Sequence, residues 1–298
     1  MEKIFNFIKD VIVFGLILFI IYFLYTKLYN IDINFDLNYE TNENQNIDTK
    51  SKEPRNYIDK KFYPYYAMLS PQEREVYYDI LEGIKDYKEE VVFEGKVTTD
   101  ELKNIYYSVL YDHPELFWVK SGYQYYNYED SDEIYSINFD YIDSIENIEI
   151  MKQQFDEAIN KIVSDASNYE SDIQKEKFVH DTLVNIITYD ENTREDQSAY
   201  GAMINGRAVC SGYAKAFGLI MTKLNIPTFY VVGTALEEAH AWNLILLDDD
   251  YYNVDVTWDD QIDRIIYDYY NLNDEEISKD HVRGDLSVNL VRSYGIKY

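Results

Sequence analysis

The sequence predicts an α+β fold: a helix that begins at the chain's only cysteine packs on an antiparallel sheet, beside an N-terminal module of helices and strands. Three observations carry that prediction. Apolar residues recur at helical spacing in several segments between residues 70 and 187. Three β-patterned runs follow one another within residues 229–257, too close together for any crossover but hairpins. An uncharged apolar run, Val11 to Tyr25, adds a single helix at the N-terminus. The organisation expected is an apolar anchor helix at 1–29, a polar linker at 30–56, a helix–strand module at 57–145 and the cysteine-bearing domain at 146–298.

Taken in order, the run from Val11 to Tyr25 is fifteen residues long (25 − 11 + 1). As a helix it reaches about 22 Å against a hydrocarbon core of about 30 Å. Thr26 and a snorkelling Lys27 extend it, so residues 11–27 are expected to meet the membrane. No small-x-small cleavage site follows, because Leu24 to Asn30 is bulky and polar. An uncleaved signal anchor is therefore favoured over a cleaved signal peptide or a buried soluble helix. Lys3, Lys9 and the terminal amine precede the span and Lys27 follows it, which favours a cytoplasmic N-terminus and an extracytoplasmic domain. Residues 30–55, rich in Asn, Asp, Glu, Thr and Lys, read as a flexible spacer.

Ser70-Pro71-Gln72-Glu73 opens a helix with a capping box and proline at its first position, and Val76, Tyr77, Ile80, Leu81 and Ile84 form its buried stripe. A short strand is expected at Val91-Val92-Phe93. Thr98 and Glu101 cap a second helix, with Leu102, Ile105, Tyr106, Val109 and Leu110 inward, which stops before Pro114. Residues 117–141 alternate aromatic and polar side chains and predict two or three strands. Helices follow at about 148–166 and 170–187. There is no internal repeat.

Hydrophobic residues make up 46% of the 298 residues, enough for a sizeable core. The formal net charge of −28 argues against a nucleic-acid partner, because phosphate would be repelled. Acidic residues are spread along the chain and read as a solvated surface. One cysteine excludes an intrachain disulfide, and any thiol chemistry must use Cys210.

Ser211 to Leu224 is helical in pattern, with Ala214, Phe217, Ile220, Met221 and Leu224 on one side and Asn225 and Pro227 ending it. Cys210 thus stands at a helix N-terminus, where unsatisfied N–H groups and the macrodipole favour an anion and can help to form an oxyanion hole. His240 follows 30 residues later (240 − 210) and Asp255 after 15 more (255 − 240). Thiol, imidazole and carboxylate in that order suit a cysteine acyl-transfer enzyme: thiolate nucleophile, proton-accepting base, orienting acid. Alone, Cys210 would read as a small buried hydrophobe; the two partners argue otherwise. Phe229 to Gly233, Ala239 to Leu247 and Tyr251 to Thr257 read as successive strands. If Asp248 and Asp249 form a two-residue turn, Leu247 pairs with Asp250 and Asp255 falls opposite Trp242, diagonal to His240 on the same face. A slip of one residue would separate the two side chains.

Residues 189–260 resemble the transglutaminase-like superfamily, a branch of the papain-like fold. The likeness lies in Gly206 to Phe217 around the thiol, in His240-Ala241-Trp242-Asn243 and in Val254-Asp255-Val256-Thr257-Trp258-Asp259. Asp112 to Trp118 and Tyr189-Asp190 extend a weaker likeness to bacterial extracytoplasmic members over roughly 60–285. The resemblance implies that Cys210 is the nucleophile, His240 the base and Asp255 the residue that orients it. It implies attack on a protein or peptide amide, at the cell envelope in such members, through an acyl-enzyme. A lysine amine resolves that intermediate to a cross-link and water resolves it to hydrolysis, so transamidase and cysteine peptidase or amidase both stand. A non-catalytic binding or scaffold domain is the third reading, against which the intact triad argues. Tyr200, ten residues before Cys210 (210 − 200), is a candidate second oxyanion donor, with a core aromatic as its alternative. Trp242 and Trp258 are candidates to line the substrate groove. His113 and His180 read as ordinary structural histidines, and so does His281, though it could line the groove. No Cys/His cluster has zinc spacing and no acidic run has the spacing of a calcium loop, so no metal and no cofactor is expected.

Overall fold

Local signals start most of the helices in the computed structural model, which describes residues 58–128, 131–261 and 264–296. After a short helix α1 (Pro64–Met68), α2 (Pro71–Lys85) opens on the Ser70–Glu73 capping box. Strand β1 runs from Glu90 to Val97, longer than the three residues expected, and α3 (Thr99–Asp112) opens on the Thr98–Glu101 box. Strands β2 (Val119–Asn127) and β3 (Ile134–Tyr141) complete an antiparallel sheet in the order β1-β3-β2. Its buried residues Val91, Phe93, Ile137 and Phe139 join Val76, Ile80, Ile84, Ile105 and Tyr106 of the helices in one core.

Helix α4 (Ile145–Ala166) begins three residues before the start expected at 148, because the Ser144 hydroxyl caps it by accepting the Asn147 N–H. Ser171 and Gln174 box the start of α5 (Asp172–Ile186). Two short parallel strands, β4 (Thr188–Tyr189) and β5 (Arg207–Ala208), flank a single π-helical turn at Gly201–Asn205. They lead into α6 (Cys210–Lys223), in which ten residues are buried. An amphipathic stripe was expected; a helix enclosed nearly all round is a core helix, and its first residue is accordingly held in place. It lies across β6 (Thr228–Ala235) and β7 (Glu238–Leu247). Strand β8 (Asp250–Val254) and the short helix α7 (Val256–Asp259) follow. A ribbon of β9 (Asp260–Gln261) and β10 (Arg264–Ile265), helix α8 (Asp274–Ile277), β11 (His281–Arg283) and a 3₁₀ turn at Ser287–Asn289 complete the order.

The second sheet has the order β11-β6-β7-β8, antiparallel throughout. Asp248 and Asp249 both adopt positive φ, 46° and 73°, the twist that a two-residue hairpin needs, and Leu247 pairs with Asp250. The expected strand from Tyr251 to Thr257 ends earlier, at Val254. The Asp255 carboxylate accepts the N–H groups of Thr257 and Trp258 and turns the chain into α7. Asn56–Tyr298 forms one compact unit. The anchor expected at 11–27 and the linker at 30–56 lie outside the described residues. Among the described residues, no helix is long and apolar enough to cross a membrane.

Candidate active site

Val209 caps α6 and donates its N–H to the Asp196 carbonyl at 3.1 Å. The Ser211 hydroxyl and the Lys215 ammonium both donate to the Gln197 carbonyl at 3.0 Å. The loop 196–198 is thereby strapped to the first turn of the helix. Gly212 permits this: a Cβ there would stand 2.7 Å from the Asp196 carbonyl oxygen and 2.9 Å from that of Ser198. Cys210 remains partly exposed beside Tyr111, Ala214, Tyr230, Val232 and Ala241.

Strand β7 presents His240 to that thiol, and β8 delivers Asp255 behind it. His240 Nε2 is 2.6 Å from Asp255 Oδ2, which leaves Nδ1 free for the thiol, and Cys210 lies close enough to act on the charge of the ring. Burial opposes a charge on His240, but its hydrogen bonds to Asp255 and Cys210 and their charges prevail and push it up to about 9. Burial likewise opposes the Asp255 carboxylate. Its bonds to His240 and His281 outweigh that and hold it below the usual carboxylate range. The arrangement favours a charged imidazolium on His240 beside the Asp255 carboxylate.

His281 was expected to be structural, yet its Nε2 lies 3.1 Å from Asp255 Oδ2, the oxygen that His240 uses. Nothing local in the sequence marks it, because β11 reaches the site only by pairing with the far side of β6. Two further neighbours were quoted only as parts of motifs. Burial pulls Lys215, half-buried, down to about 8, against the opposing pull of Cys210. Burial, the charge of Cys210 and a bond to Glu191 push Tyr189 up to about 12.

Tyr200 is placed in the core, where its ring stacks on Phe117 at 4.6 Å and meets Phe155 at 6.1 Å. Its packing there answers to the core-aromatic alternative. Trp242 is corrected from groove to core: it is 1% exposed and its indole N–H donates to Asn253 Oδ1 at 3.1 Å. It stacks behind His240, with ring centroids 6.3 Å apart, and cannot reach a substrate. Trp258 is half-buried and lies edge-on to His281 at 4.6 Å and beside His240 at 5.5 Å. His180 and His113 stand apart from the thiol, His180 against Asp259 and His113 against Glu115.

Among the described residues, His240, Asp255 and His281 are the group whose donor atoms converge closely enough for a metal ion, within 4.8 Å of one another. The 2.6 Å between His240 and Asp255 is shorter than the roughly 3.4 Å separating ligands that each sit about 2.1 Å from a tetrahedral ion, and fits a shared proton. A cleft of about 1150 Å³ opens nearby between Lys120–Gln124 of β2 and the loop Arg194–Ser198, with Lys215 at its edge.

No curated protein matches the sequence. Among solved structures, a TGase is 16% identical with a TM-score of 0.32 over 56% of this chain and 50% of that one. A provisional cysteine protease from Cytophaga hutchinsonii is 14% identical with a TM-score of 0.34 over 54% and 65%. Menin, whose structure revealed a binding site for Mixed Lineage Leukemia protein, is 16% identical with a TM-score of 0.29 over 44% and 33%. The chain thus spans half of the TGase and just under two thirds of the Cytophaga protein. Residues 159–256 match the model of the transglutaminase-like superfamily. That segment contains Cys210, His240 and Asp255, and the match marks a transglutaminase-like domain within the chain.

Proposed function

We propose that this chain is a cysteine acyltransferase that attacks protein or peptide amide carbonyls and passes the acyl group to an amine. It works outside the cytoplasmic membrane, held there by residues 11–27. The observation that carries the chemistry is His240, bonded to Asp255 on one side and close enough to Cys210 for the thiol to act on its charge.

The steps follow from that line. The Cys210 proton passes to His240 Nδ1, and the thiolate attacks the amide carbonyl carbon. N–H groups at the start of α6 would stabilise the carbonyl oxygen as it gains charge. The tetrahedral intermediate collapses, the C–N bond breaks, and the imidazolium returns its proton to the departing amine. The thioester remains. An incoming amine then loses a proton to His240, attacks the thioester carbonyl and releases the thiol. Asp255 holds Nε2–H throughout and offsets the positive charge on the ring. Water in place of the amine gives hydrolysis by the same steps, so product analysis separates the two outcomes.

The test uses the full-length chain beside Cys210→Ala, each incubated with a glutamine-containing protein and a fluorescent primary amine, with mass spectrometry of all products. Cys210-dependent amine incorporation is expected. Cys210-dependent cleavage or deamidation without incorporation would make the protein a hydrolase. Identical products from both proteins, together with a thiol no more reactive toward iodoacetamide than free cysteine, would overturn catalysis and leave a binding domain. Protease digestion of intact cells tests the orientation, and protection of the folded domain would reverse it.

A further inference from the structure

His281 lies on the edge strand β11, beyond the residues that match the superfamily, and is 2% exposed. Both of its ring nitrogens face carboxylates: Nε2 is 3.1 Å from Asp255 Oδ2 and Nδ1 is 2.5 Å from Asp280 Oδ1. Trp258, Trp242 and Tyr269 surround the ring at 4.6, 5.0 and 5.5 Å between centroids. The titratable groups that face it are Asp255, Asp280, His240 at 5.3 Å between rings, and Tyr269, whose hydroxyl donates to Asp280 Oδ2 at 2.8 Å. A polar ring in such a place costs stability unless it is paired. It is paired here with the one carboxylate that also holds His240.

The Asp255 carboxylate shows why that pairing matters. Its Oδ1 is fixed by the N–H groups of Thr257 and Trp258, at 3.0 and 3.2 Å. Torsion about the Cβ–Cγ bond is soft and turns both oxygens together, so the Oδ1 bonds limit the swing and each donor on Oδ2 narrows it further. A second donor, entering from β11, pins it. Asp280 and Tyr269 in turn hold the ring of that donor.

We propose that His281 is a positioning residue: it locks the Asp255 carboxylate in the orientation that receives His240, with Asp280 as its own anchor. This rests on the Cys210–His240–Asp255 reading above. His281 touches neither the thiol nor the substrate in this role; it sets how well the pair behind the thiol is aligned.

The experiment measures the second-order rate of iodoacetamide alkylation from pH 5 to 10 on the full-length chain. Cys210 is its only cysteine, so the signal is unambiguous. Wild type is compared with His240→Ala, His281→Leu, His281→Gln and Asp280→Ala. Loss of an oriented charge-assisted bond predicts alkylation about tenfold slower in His281→Leu at pH 7, with an altered pH profile. In His281→Gln the side-chain amide still donates to Asp255 Oδ2, and its rate returns close to wild type. Asp280→Ala, which spares the core, slows alkylation by a smaller factor, and serves alone should His281→Leu not fold. A purely structural role would lower the melting temperature and leave the profile of the folded protein unchanged. His281→Leu or Asp280→Ala at the wild-type rate overturns the proposal, as does an equal loss in His281→Leu and His281→Gln. If His240→Ala is slow in those cases, the triad reading survives. If His240→Ala itself alkylates like wild type, both readings fall.

Discussion

Two buried histidine–aspartate pairs flank the same four-residue helix, and they behave differently. At the start of α7, Asp255 faces His240; at its end, Asp259 faces His180, with Nε2 and Oδ2 3.2 Å apart. Asp255 and Asp259 are both fully buried. Yet Asp255 is held below the ordinary carboxylate range and Asp259 is pushed above it. The difference lies in the donors. Asp255 receives two imidazoles and two backbone N–H groups. Asp259 receives His180 and the N–H of Tyr269, not enough to outweigh burial, and the charge of Asp255 adds to the penalty. The histidines differ in what their second nitrogen meets. His240 turns toward a thiol, whereas His180 Nδ1 meets Asp181 at 3.1 Å and its ring packs against Tyr267 and Tyr270. The residue pair alone therefore does not make a site; a saturated carboxylate and a nucleophile on the far side of the ring do.

The most severe way to break the first pair is Asp255→Asn. Because Oδ1 caps α7, the amide oxygen must take that place, and the NH₂ group then faces His240 and His281. Nε2 of His240 is forced to accept, which puts its proton on Nδ1, toward the thiol. A fall in kcat of about 10³–10⁴-fold is expected with the fold intact, the size of effect that a wrong tautomer produces. Circular dichroism beside steady-state kinetics checks it, and a small loss would mean that the amide flips and the cap is expendable. In the proposed mechanism the imidazolium protonates the leaving amine, so kcat/KM of the wild type should fall as pH rises through about 9. The same group contributes stability that is complete below its ordinary value of 6.5 and lost as pH rises toward about 9.

The second pair predicts the opposite pattern. His180→Phe leaves Asp259 buried without its imidazole, which should cost about 3–5 kcal/mol in urea unfolding. The Cys210 alkylation rate should stay within about twofold of wild type, as for sites that are energetically independent. A parallel collapse of alkylation would show that α7 couples the two pairs into one network.

What the sequence made legible was local. The register of β7 on β8 follows from Asp248-Asp249, and the helix starts at Ser70 and Thr98 follow from their boxes. The end of β8 was misread because Val254 and Val256 continue a β-like alternation, while the capping competence of Asp255 overrides it. Trp242 was misplaced because alternation puts it on one face with His240 but does not say that β7 is covered on both faces from His240 to Ile245. His281 depends on β11 reaching β6 across 46 residues of chain (281 − 235), a pairing that no local pattern encodes. Tyr200 was drawn toward the site by its distance in sequence, whereas the π-helical turn that it precedes sends it to Phe117.

The smallest expected effect concerns Glu176, a neighbour of His180 that the sequence did not single out. It is fully buried, and its Oε2 accepts from the Tyr270 hydroxyl at 2.6 Å and from Asn271 Nδ2 at 2.9 Å. Burial prevails over both bonds and over the charge of His180 and pushes the group up to about 7. The sign follows from proton counting. Between its ordinary value of 4.5 and about 7 the folded protein keeps a proton that the unfolded chain has released, so stability falls as pH rises through that window. Above about 7 the penalty is complete. Glu176→Gln removes the titration, since its amide oxygen can take both bonds. Asp112, also pushed to about 7 by burial, contributes equally to both proteins and cancels in the comparison. The stability lost between pH 5 and pH 8 should therefore be smaller in Glu176→Gln by about 1–3 kcal/mol, read from urea unfolding at the two pH values. An identical pH dependence in the two proteins would mean that the network around His180 satisfies an ionised Glu176, and that donor number separates the two regions less sharply than Asp255 and Asp259 suggest.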